Sequence, residues 1–147
     1  MIRKAVKSDV AQIVEMARKF YATTDYASWA DFCDETVCDL TESMVENHLV
    51  LVAEKEGRLV GVVGLFVAPF MFNRQKTGAY EVVWWVDPEQ QNTGVGSALL
   101  DAVAPACEEM GCDAVQMVHL RNSPPQASEI YKRKGYMHTE SSYTRVL

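Results

Sequence analysis

The fold is decided by one stretch of the chain, Glu81–Leu100, which has the sequence EVVWWVDPEQQNTGVGSALL. Its first six residues are aromatic or β-branched apart from the glutamate, a composition typical of a β-strand. A polar loop follows and opens directly into a helix, whose first backbone N–H groups lack partners and carry the positive end of the helix dipole. Such a place favours phosphate, and Gly94 and Gly96 let the backbone approach a ligand closely.

Two other phosphate-binding loops do not fit this stretch. A P-loop requires a lysine after its second glycine, whereas Ser97 follows Gly96 here. A Rossmann fingerprint requires a third glycine where this chain has Leu99, and it belongs to the first strand–helix turn of its fold. A pair of glycines also occurs at ordinary helix starts, so the glycines alone leave that interpretation open.

The flanking segments predict an α/β structure built of α+β layers. On the N-terminal side we predict a strand at Ile2–Val6, a helix from the cap Ser8 to Phe20, an irregular segment at Thr23–Asp39 and a short helix capped by Thr41. The other predicted elements are a hairpin of Val50–Lys55 and Leu59–Val67, a polar turn at Asn73–Gly78, strands at Tyr80–Val86, Ala114–His119 and Tyr136–Val146, and helices at Val95–Met110 and Gln126–Lys134. No linker or change of composition divides the chain, so residues 1–147 are predicted to form a single domain.

Composition and charge disfavour several classes of protein. The 147 residues are 48% hydrophobic and 23% charged, as in an ordinary globular domain. The longest apolar run, Leu59–Phe72, is too short to cross a bilayer, and the N-terminus lacks the features of a signal peptide. We therefore expect a cytoplasmic protein without a membrane partner. The net charge of −6 makes nucleic acid an unlikely partner.

The cysteines and histidines do not predict a metal site. The four cysteines form two C-x4-C pairs, Cys33 with Cys38 and Cys107 with Cys112. Zinc sites and redox motifs use other spacings, and the three histidines are scattered along the chain. We interpret the thiols as structural or incidental.

Two motifs carry a resemblance to a known family. The segment Gln91–Gly96, preceded by Val86–Glu89, resembles the Q/R-x-x-G-x-G/A signature of the GNAT superfamily of N-acetyltransferases. The segment Ala127–Tyr136, ASEIYKRKGY, is similar to the family's A-x-x-x-Y-x-x-x-G-F/Y segment. The strings Glu81–Glu89 and Gly135–Tyr143 are also similar to GNAT proteins often encoded by bacteriophages.

The resemblance implies a GNAT-like fold that binds acetyl-coenzyme A as a co-substrate. In this fold a mixed, mostly antiparallel sheet is flanked by about four helices, and a splayed pair of strands holds the cofactor. Trp84 and Val86 are expected to pair with the pantetheine arm as if it were a strand. The pyrophosphate is expected to lie against the backbone of a run of seven residues: Gln91, Asn92, Thr93, Gly94, Val95, Gly96 and Ser97.

Two other parts of the chain have a less direct match. Asn122 is assigned as a further cofactor contact, displaced from the position where the family often has asparagine and this chain has Pro124. The basic run Lys132–Lys134 either reaches an outer phosphate or simply suits the C-terminal end of a helix.

The resemblance also implies direct attack of a primary amine on the thioester, without a covalent enzyme nucleophile. An alkylammonium, with a pKa near ~10.4, must first lose a proton, and a carboxylate is a suitable acceptor. Glu81 is assigned this role, directly or through water, and Tyr131 matches the family tyrosine that assists the departing thiolate. Residue type alone leaves an alternative for each: Glu81 as a solvated strand glutamate, and Tyr131 as a tyrosine that only packs.

Three functions remain open for this chain. They are acetyl transfer to a small-molecule or protein amine, acyl-coenzyme A binding without turnover, and a phage-type acyl transfer to modified nucleic acid. In GNAT relatives the segment corresponding to Tyr21–Asp39 commonly borders the acceptor, and here it has four aromatic and five acidic residues but no Lys or Arg. Such a surface attracts cations, so a cationic amine is the predicted acceptor, unless the aromatic residues pack inward. A homodimer is also left open.

Overall fold

The centre of the fold is a mixed sheet of five strands that lie in chain order. The computed structural model describes residues 1–147. The first four strands pair antiparallel and the last pairs parallel with its neighbour. The strands are β1 (Ile2–Lys4), β2 (Leu49–Lys55), β3 (Arg58–Phe70), β4 (Asn73–Val86) and β5 (Ala114–Gln116).

Four α-helices cover the two faces of this sheet. Alternate residues of β2 point to opposite faces, so Leu49 and Leu51 join the core beneath the third helix, and Val50 and Val52 join the core beneath the first two. The helices are α1 (Val10–Ala22), α2 (Asp34–Asn47), α3 (Val95–Glu109) and α4 (Gln126–Arg133). The predicted α/β fold class, with a mostly antiparallel sheet and about four helices, is confirmed.

The start of two helices differs from the prediction. The segment predicted to be irregular up to Asp39 is already helical from Asp34, because Asp34 and Glu35 in the first turn complement the helix dipole. Thr41 therefore lies inside α2, where its hydroxyl donates to the carbonyl of Val37 at 2.7 Å instead of capping a helix. Ser8 is likewise not a cap, since it lies in a 3₁₀ turn that precedes α1.

The hairpin of β3 and β4 is longer than predicted. Asn73–Gly78, predicted to be a polar turn, is the first part of β4, and Met71 and Phe72 form the turn instead. The pairing of Pro69 with Thr77 and of Phe70 with Asn73 extends the hairpin beyond the other strands. Backbone pairing maintains these strands although their side chains contribute little to the core.

The C-terminal strands are shorter than predicted. β5 ends at Gln116 rather than His119, because the chain then leaves β4 and the N–H of Val118 bonds to a side chain. The predicted strand Tyr136–Val146 is absent. Its alternating residues have no buried face to pack against, since the large apolar side chains Met137, Tyr143 and Val146 are exposed.

A β-bulge in β4 decides which of its side chains share a face. Gly64 lies opposite Val83 and Leu65 lies opposite Glu81, so Val82 is an extra residue between them. Val82 and Val83 both pack toward α1 and α2, whereas Trp84 packs on the α3 side of the sheet together with Ala79. The bulge therefore lets Glu81 and Trp84 share a face although they are three positions apart, whereas strict alternation over the same residues would direct Trp84 away from the face that Ala79 and Glu81 share.

None of the helices has the length and apolar character needed to cross a membrane.

Candidate active site

A cleft of about 420 Å³ lies where β4 and β5 separate. The two strands are paired only at Gly78–Tyr80 and Ala114–Gln116, while β4 continues alone to Val86. Backbone groups of this second half of β4 are therefore without a strand partner on the β5 side. The walls of the cleft come from β4, the loop before α3, the loop after β5, α4 and the end of α1.

The first end of the cleft is formed by the loop that enters α3. Gly94 has a φ of 93°, a left-handed conformation that favours glycine, and its carbonyl accepts the first helical bond from Ala98 at 2.9 Å. The N–H groups of the next three residues have no intrahelical acceptor. Gln91 ties the loop to β4, because its side-chain amide donates to the carbonyl of Val86 at 3.2 Å.

These features fit the pantetheine and phosphate groups of a coenzyme A molecule. An unpaired strand edge offers N–H and C=O groups to an amide-containing chain, and a helix N-terminus suits a pyrophosphate. The buried indole Nε1 of Trp84 has no hydrogen-bond partner. A methyl group at Gly96 would lie 3.4 Å from Val86 and 3.7 Å from Trp84, so the lack of a side chain leaves space in the cleft beside these two residues.

In the middle of the cleft, Glu81 and Tyr131 both bond to the backbone of one residue, Val118. The Val118 N–H donates to Oε2 of Glu81 at 3.1 Å, and the Val118 carbonyl accepts from the Tyr131 hydroxyl at 2.8 Å. The Tyr131 ring is buried between the rings of Trp84 and Tyr136, with centroid distances of 5.4 and 5.8 Å. Residues from β4, α4 and the loop between β5 and α4 therefore meet at one point.

Burial changes the acidity of both side chains. It raises the pKa of the Glu81 carboxyl to about 8, although the hydrogen bond from Val118 acts in the opposite direction. Burial, with the nearby Glu81 charge, also raises the pKa of the Tyr131 hydroxyl above its usual value. At neutral pH Tyr131 is thus a hydrogen-bond donor, and Glu81 is mainly protonated and ionises as the pH rises through about 8.

Most of the predicted site residues line this cleft, and two do not. Thr93 donates its hydroxyl to the Gln90 carbonyl, and Val95 packs against the core beneath α3. The lining residues among those predicted are Glu81, Trp84, Val86, Gln91, Asn92, Gly94, Gly96, Ser97, Asn122 and Tyr131.

The side chains expected to contact the cofactor at Asn122 and in the basic run Lys132–Lys134 make other contacts within the protein. Asn122 lines the cleft, but its amide donates to the Thr23 carbonyl at 3.3 Å and to Asp25 at 3.1 Å. In the basic run, Lys132 is paired with Glu129 and Lys134 with Asp101. Neither lysine lines the cleft, which favours the interpretation that they suit the end of α4.

A family model for the acetyltransferase (GNAT) family matches residues 11–136. The chain belongs to the GNAT acetyltransferase family. The match extends across both motifs on which the resemblance depended, and the predicted membership is confirmed. No curated protein sequence matches this GNAT acetyltransferase with significance.

Solved structures share the fold at low sequence identity. A predicted acetyltransferase with acetyl-CoA from Clostridium acetobutylicum has a TM-score of 0.76 at 16% identity, over 99% of this chain and 95% of that one. The ribosomal-protein-alanine N-acetyltransferase from Brucella melitensis biovar Abortus 2308 has 0.74 at 17%, over 100% and 99%. An aminoglycoside acetyltransferase from an uncultured soil metagenomic sample, in complex with sisomicin, has 0.76 at 20%, over 100% and 95%.

Some parts of the candidate site of this acetyltransferase were not predicted. Val118 acts through its main chain, so its residue type carries no signal. Phe20 and Thr23 at the end of α1, and Leu120 after β5, line the cleft without belonging to either motif. The helical spacing in α1 indicated only that Phe20 lies on the apolar face.

Proposed function

We propose that this protein transfers the acetyl group of acetyl-coenzyme A to a primary amine by direct attack, with Glu81 as the base and Tyr131 as the hydrogen-bond donor to the leaving thiolate. The observation that carries the proposal is that both side chains bond to the backbone of Val118 inside the cleft. Acetyl-coenzyme A supplies the thioester. The loop Gln91–Ser97 binds its pyrophosphate, and the free edge of β4 at Trp84 and Val86 orients its pantetheine arm.

Glu81 is suited to accept the proton of the amine. A solvated glutamate has a pKa roughly 6 units below that of an alkylammonium. With its pKa raised to about 8, Glu81 reduces this gap to roughly 2 units. Efficient general bases have a pKa close to the working pH. The Glu81 carboxylate is therefore a stronger base than a solvated glutamate, and it still ionises near the physiological pH range.

Tyr131 is suited to stabilise the thiolate that leaves. Its hydroxyl remains protonated because its pKa is raised, and its ring is fixed by Trp84 and Tyr136. Rotation of the hydroxyl away from the Val118 carbonyl directs the donor into the cleft. A phenol with a pKa above that of a thiol, about 8.5, acts mainly by hydrogen bonding to the developing charge.

The acceptor that we propose is a cationic amine. In the acidic segment Tyr21–Asp39, Tyr26 and Trp29 are exposed, and Asp31, Glu35 and Asp39 have no ion-pair partner. Aromatic faces and unpaired carboxylates attract cations. Two basic side chains weaken this field, since Arg121 binds Asp25, and Arg18 binds Asp34 and covers the Phe32 ring at 4.7 Å. Sisomicin, present in one of the similar structures, supports an acceptor with several amino groups.

A turnover assay tests the proposal directly. The protein is incubated with acetyl-coenzyme A and a panel containing a polyamine, an aminoglycoside, a lysine peptide and DNA, and both free thiol and acetylated acceptor are measured. We expect thiol release that depends on an amine and matches acetylated product one to one. Binding of acetyl-coenzyme A without transfer to any member of the panel would contradict the proposal and favour a binding module. Transfer to DNA alone would favour the nucleic-acid acceptor.

A further inference from the structure

The loop between β5 and α4, residues 117–125, has no strand partner, but its residue Val118 supplies the backbone N–H and C=O groups that bond to Glu81 and Tyr131. The loop turns at Leu120–Ser123, where the Leu120 N–H donates to the Ser123 hydroxyl at 3.0 Å and the Ser123 N–H donates to the Leu120 carbonyl at 2.9 Å. Arg121 and Asn122 form the tip of this turn. The internal bonds define the turn but do not attach it to the rest of the protein.

The attachment comes from Asp25, in the 3₁₀ turn that follows α1. Arg121 binds the Asp25 carboxylate through two nitrogens, at 2.8 and 2.7 Å. The Asn122 amide donates to the same carboxylate at 3.1 Å and to the Thr23 carbonyl at 3.3 Å. A two-point Arg–carboxylate contact fixes orientation as well as distance. The two partners are 96 positions apart in the chain, and their neighbours Thr23 and Asn122 line the cleft.

We infer that Asp25 is a positioning residue, which holds the 117–125 loop through Arg121 and Asn122 and thereby keeps the Val118 backbone against Glu81 and Tyr131. The inference rests on the proposed function, because the two side chains positioned in this way are the proposed base and hydrogen-bond donor. Val118 is only three residues from Arg121, so release of the loop tip from Asp25 changes the position of the Val118 backbone. Small misplacements of reacting groups reduce rates strongly, by roughly 100-fold for 1 Å.

The exposure of the Asp25–Arg121 pair separates this role from a contribution to global stability. The side chains are 54% and 75% exposed, and such ion pairs contribute little to folding. The Arg58–Glu89 pair provides a matched control, since it joins the start of β3 to the 3₁₀ turn after β4 at 3.0 Å with exposures of 61% and 54%. This pair makes no contact with the 117–125 loop.

The test compares Arg121→Gln and Asp25→Asn with the control Arg58→Gln. We expect all three to melt within a few degrees of the wild type, while the Arg121 and Asp25 variants lose kcat by roughly 10- to 100-fold. Because the Val118 N–H lowers the pKa of Glu81, its displacement should also move the rising limb of the pH–rate profile to higher pH. The titratable group that faces Glu81 across this peptide, Tyr131 from α4, is unchanged in every variant. The exchanged pair Asp25→Arg with Arg121→Asp should recover much of the loss.

A measurement without turnover tests the inference separately from the proposed function. Hydrogen exchange at the amides of residues 117–125 should be faster in Arg121→Gln than in the wild type and unchanged in Arg58→Gln. Equal exchange, rate and pH limb in Arg121→Gln and the control would overturn the inference. A higher acceptor KM with unchanged kcat and pH limb would also overturn it, because Asp25 would then bind the acceptor directly. An inactive wild type would contradict only the proposed function.

Discussion

The two ends of the cleft are built in different ways. The end at α3 consists of consecutive residues, Gln91–Ser97, and presents mainly backbone groups and two glycines. The middle of the cleft and the part beyond it depend on Asp25, Glu81, Val118 and Tyr131, which come from four separate parts of the chain and are joined by side-chain contacts. The loop is therefore shaped by local geometry, while the rest of the cleft is assembled only when the whole chain has folded.

This difference predicts which substitutions act on binding and which act on rate. Changes in the loop should remove affinity for acetyl-coenzyme A, because its backbone groups have no substitute. Changes among the side chains should leave that affinity in place and lower turnover. The following experiments test this division, from the largest expected effect to the smallest.

The largest effect is expected for Gly94→Glu. Its side chain and charge would occupy the place of the pyrophosphate, so the rise in melting temperature on addition of acetyl-coenzyme A should disappear. At about 100 times the dissociation constant, that ligand should stabilise the wild type by ~2.7 kcal/mol. Gly57→Glu is the control, because Gly57 also has a positive φ, of 77°, and open space around its Cβ position. It should keep the full ligand-induced shift. The same shift in both variants would refute binding at the loop.

Tyr131→Phe should lower kcat by roughly 10- to 1000-fold, the range for a lost proton donor. The ring and its packing against Trp84 and Tyr136 are retained, so binding of acetyl-coenzyme A, measured by calorimetry, should change little. Tyr136→Phe is the matched control, since this half-buried tyrosine contacts the same ring, and its turnover should stay near the wild-type value. Equal turnover of both variants and the wild type would show that the Tyr131 hydroxyl has no role in transfer.

Glu81→Gln should change the pH dependence of the reaction. In the wild type kcat/KM should rise with pH through about 8, as Glu81 loses its proton and becomes a base. The glutamine variant should be slower and should lack this limb. A limb of unchanged position in Glu81→Gln would assign it to another group, such as the amine itself.

The same variant should change the pH dependence of stability. Folding raises the pKa of Glu81 from 4.5 to about 8, so the folded state binds the proton more tightly than the unfolded state. The resulting stabilisation is complete below pH 4.5 and is lost as the pH rises through 8. The melting temperature of Glu81→Gln should therefore increase relative to the wild type between pH 5 and pH 9. A constant difference over that range would mean that the carboxyl is not buried in solution.

The smallest effect is expected from the acidic segment. Asp31→Lys with Asp34→Lys should raise the KM of a cationic acceptor several-fold, and added salt should reduce the difference because it screens exposed charges over about 10 Å. Glu108→Lys with Glu109→Lys, at the end of α3, makes the same change in net charge away from the cleft and should leave the KM unaltered. Equal effects of the two pairs would indicate that only net charge matters. A gain of activity on DNA would contradict the cationic acceptor.

The fold was predictable where side-chain periodicity reflects burial. Leu99, Leu100, Val103 and Cys107 of α3 follow helical spacing and are buried. The start of α2 was missed because aromatic and acidic residues obscure the spacing there. The first part of β4, at Asn73–Gly78, was missed because a hairpin that extends beyond the core carries no apolar pattern.

The site was predictable where it is local in sequence. The strand, loop and helix around Gly94 are contiguous, and Tyr131 lies in a contiguous motif. The contacts of Val118 use backbone atoms, and the Asp25–Arg121 pair joins residues 96 positions apart, so neither leaves a pattern in the sequence. These contacts could therefore be identified only from the three-dimensional structure.

The bulge at Val82 sets the spacing between the proposed base and the indole of Trp84. Because Val82 is an extra residue, Glu81 and Trp84 face the same side of the sheet although they are three positions apart, whereas plain alternation places neighbours on one face two positions apart. Deleting Val82 would restore plain alternation and keep both side chains on the same side. A relative without the bulge should therefore carry its carboxylate two positions before the residue that corresponds to Trp84, which makes strand length a guide to where the carboxylate stands.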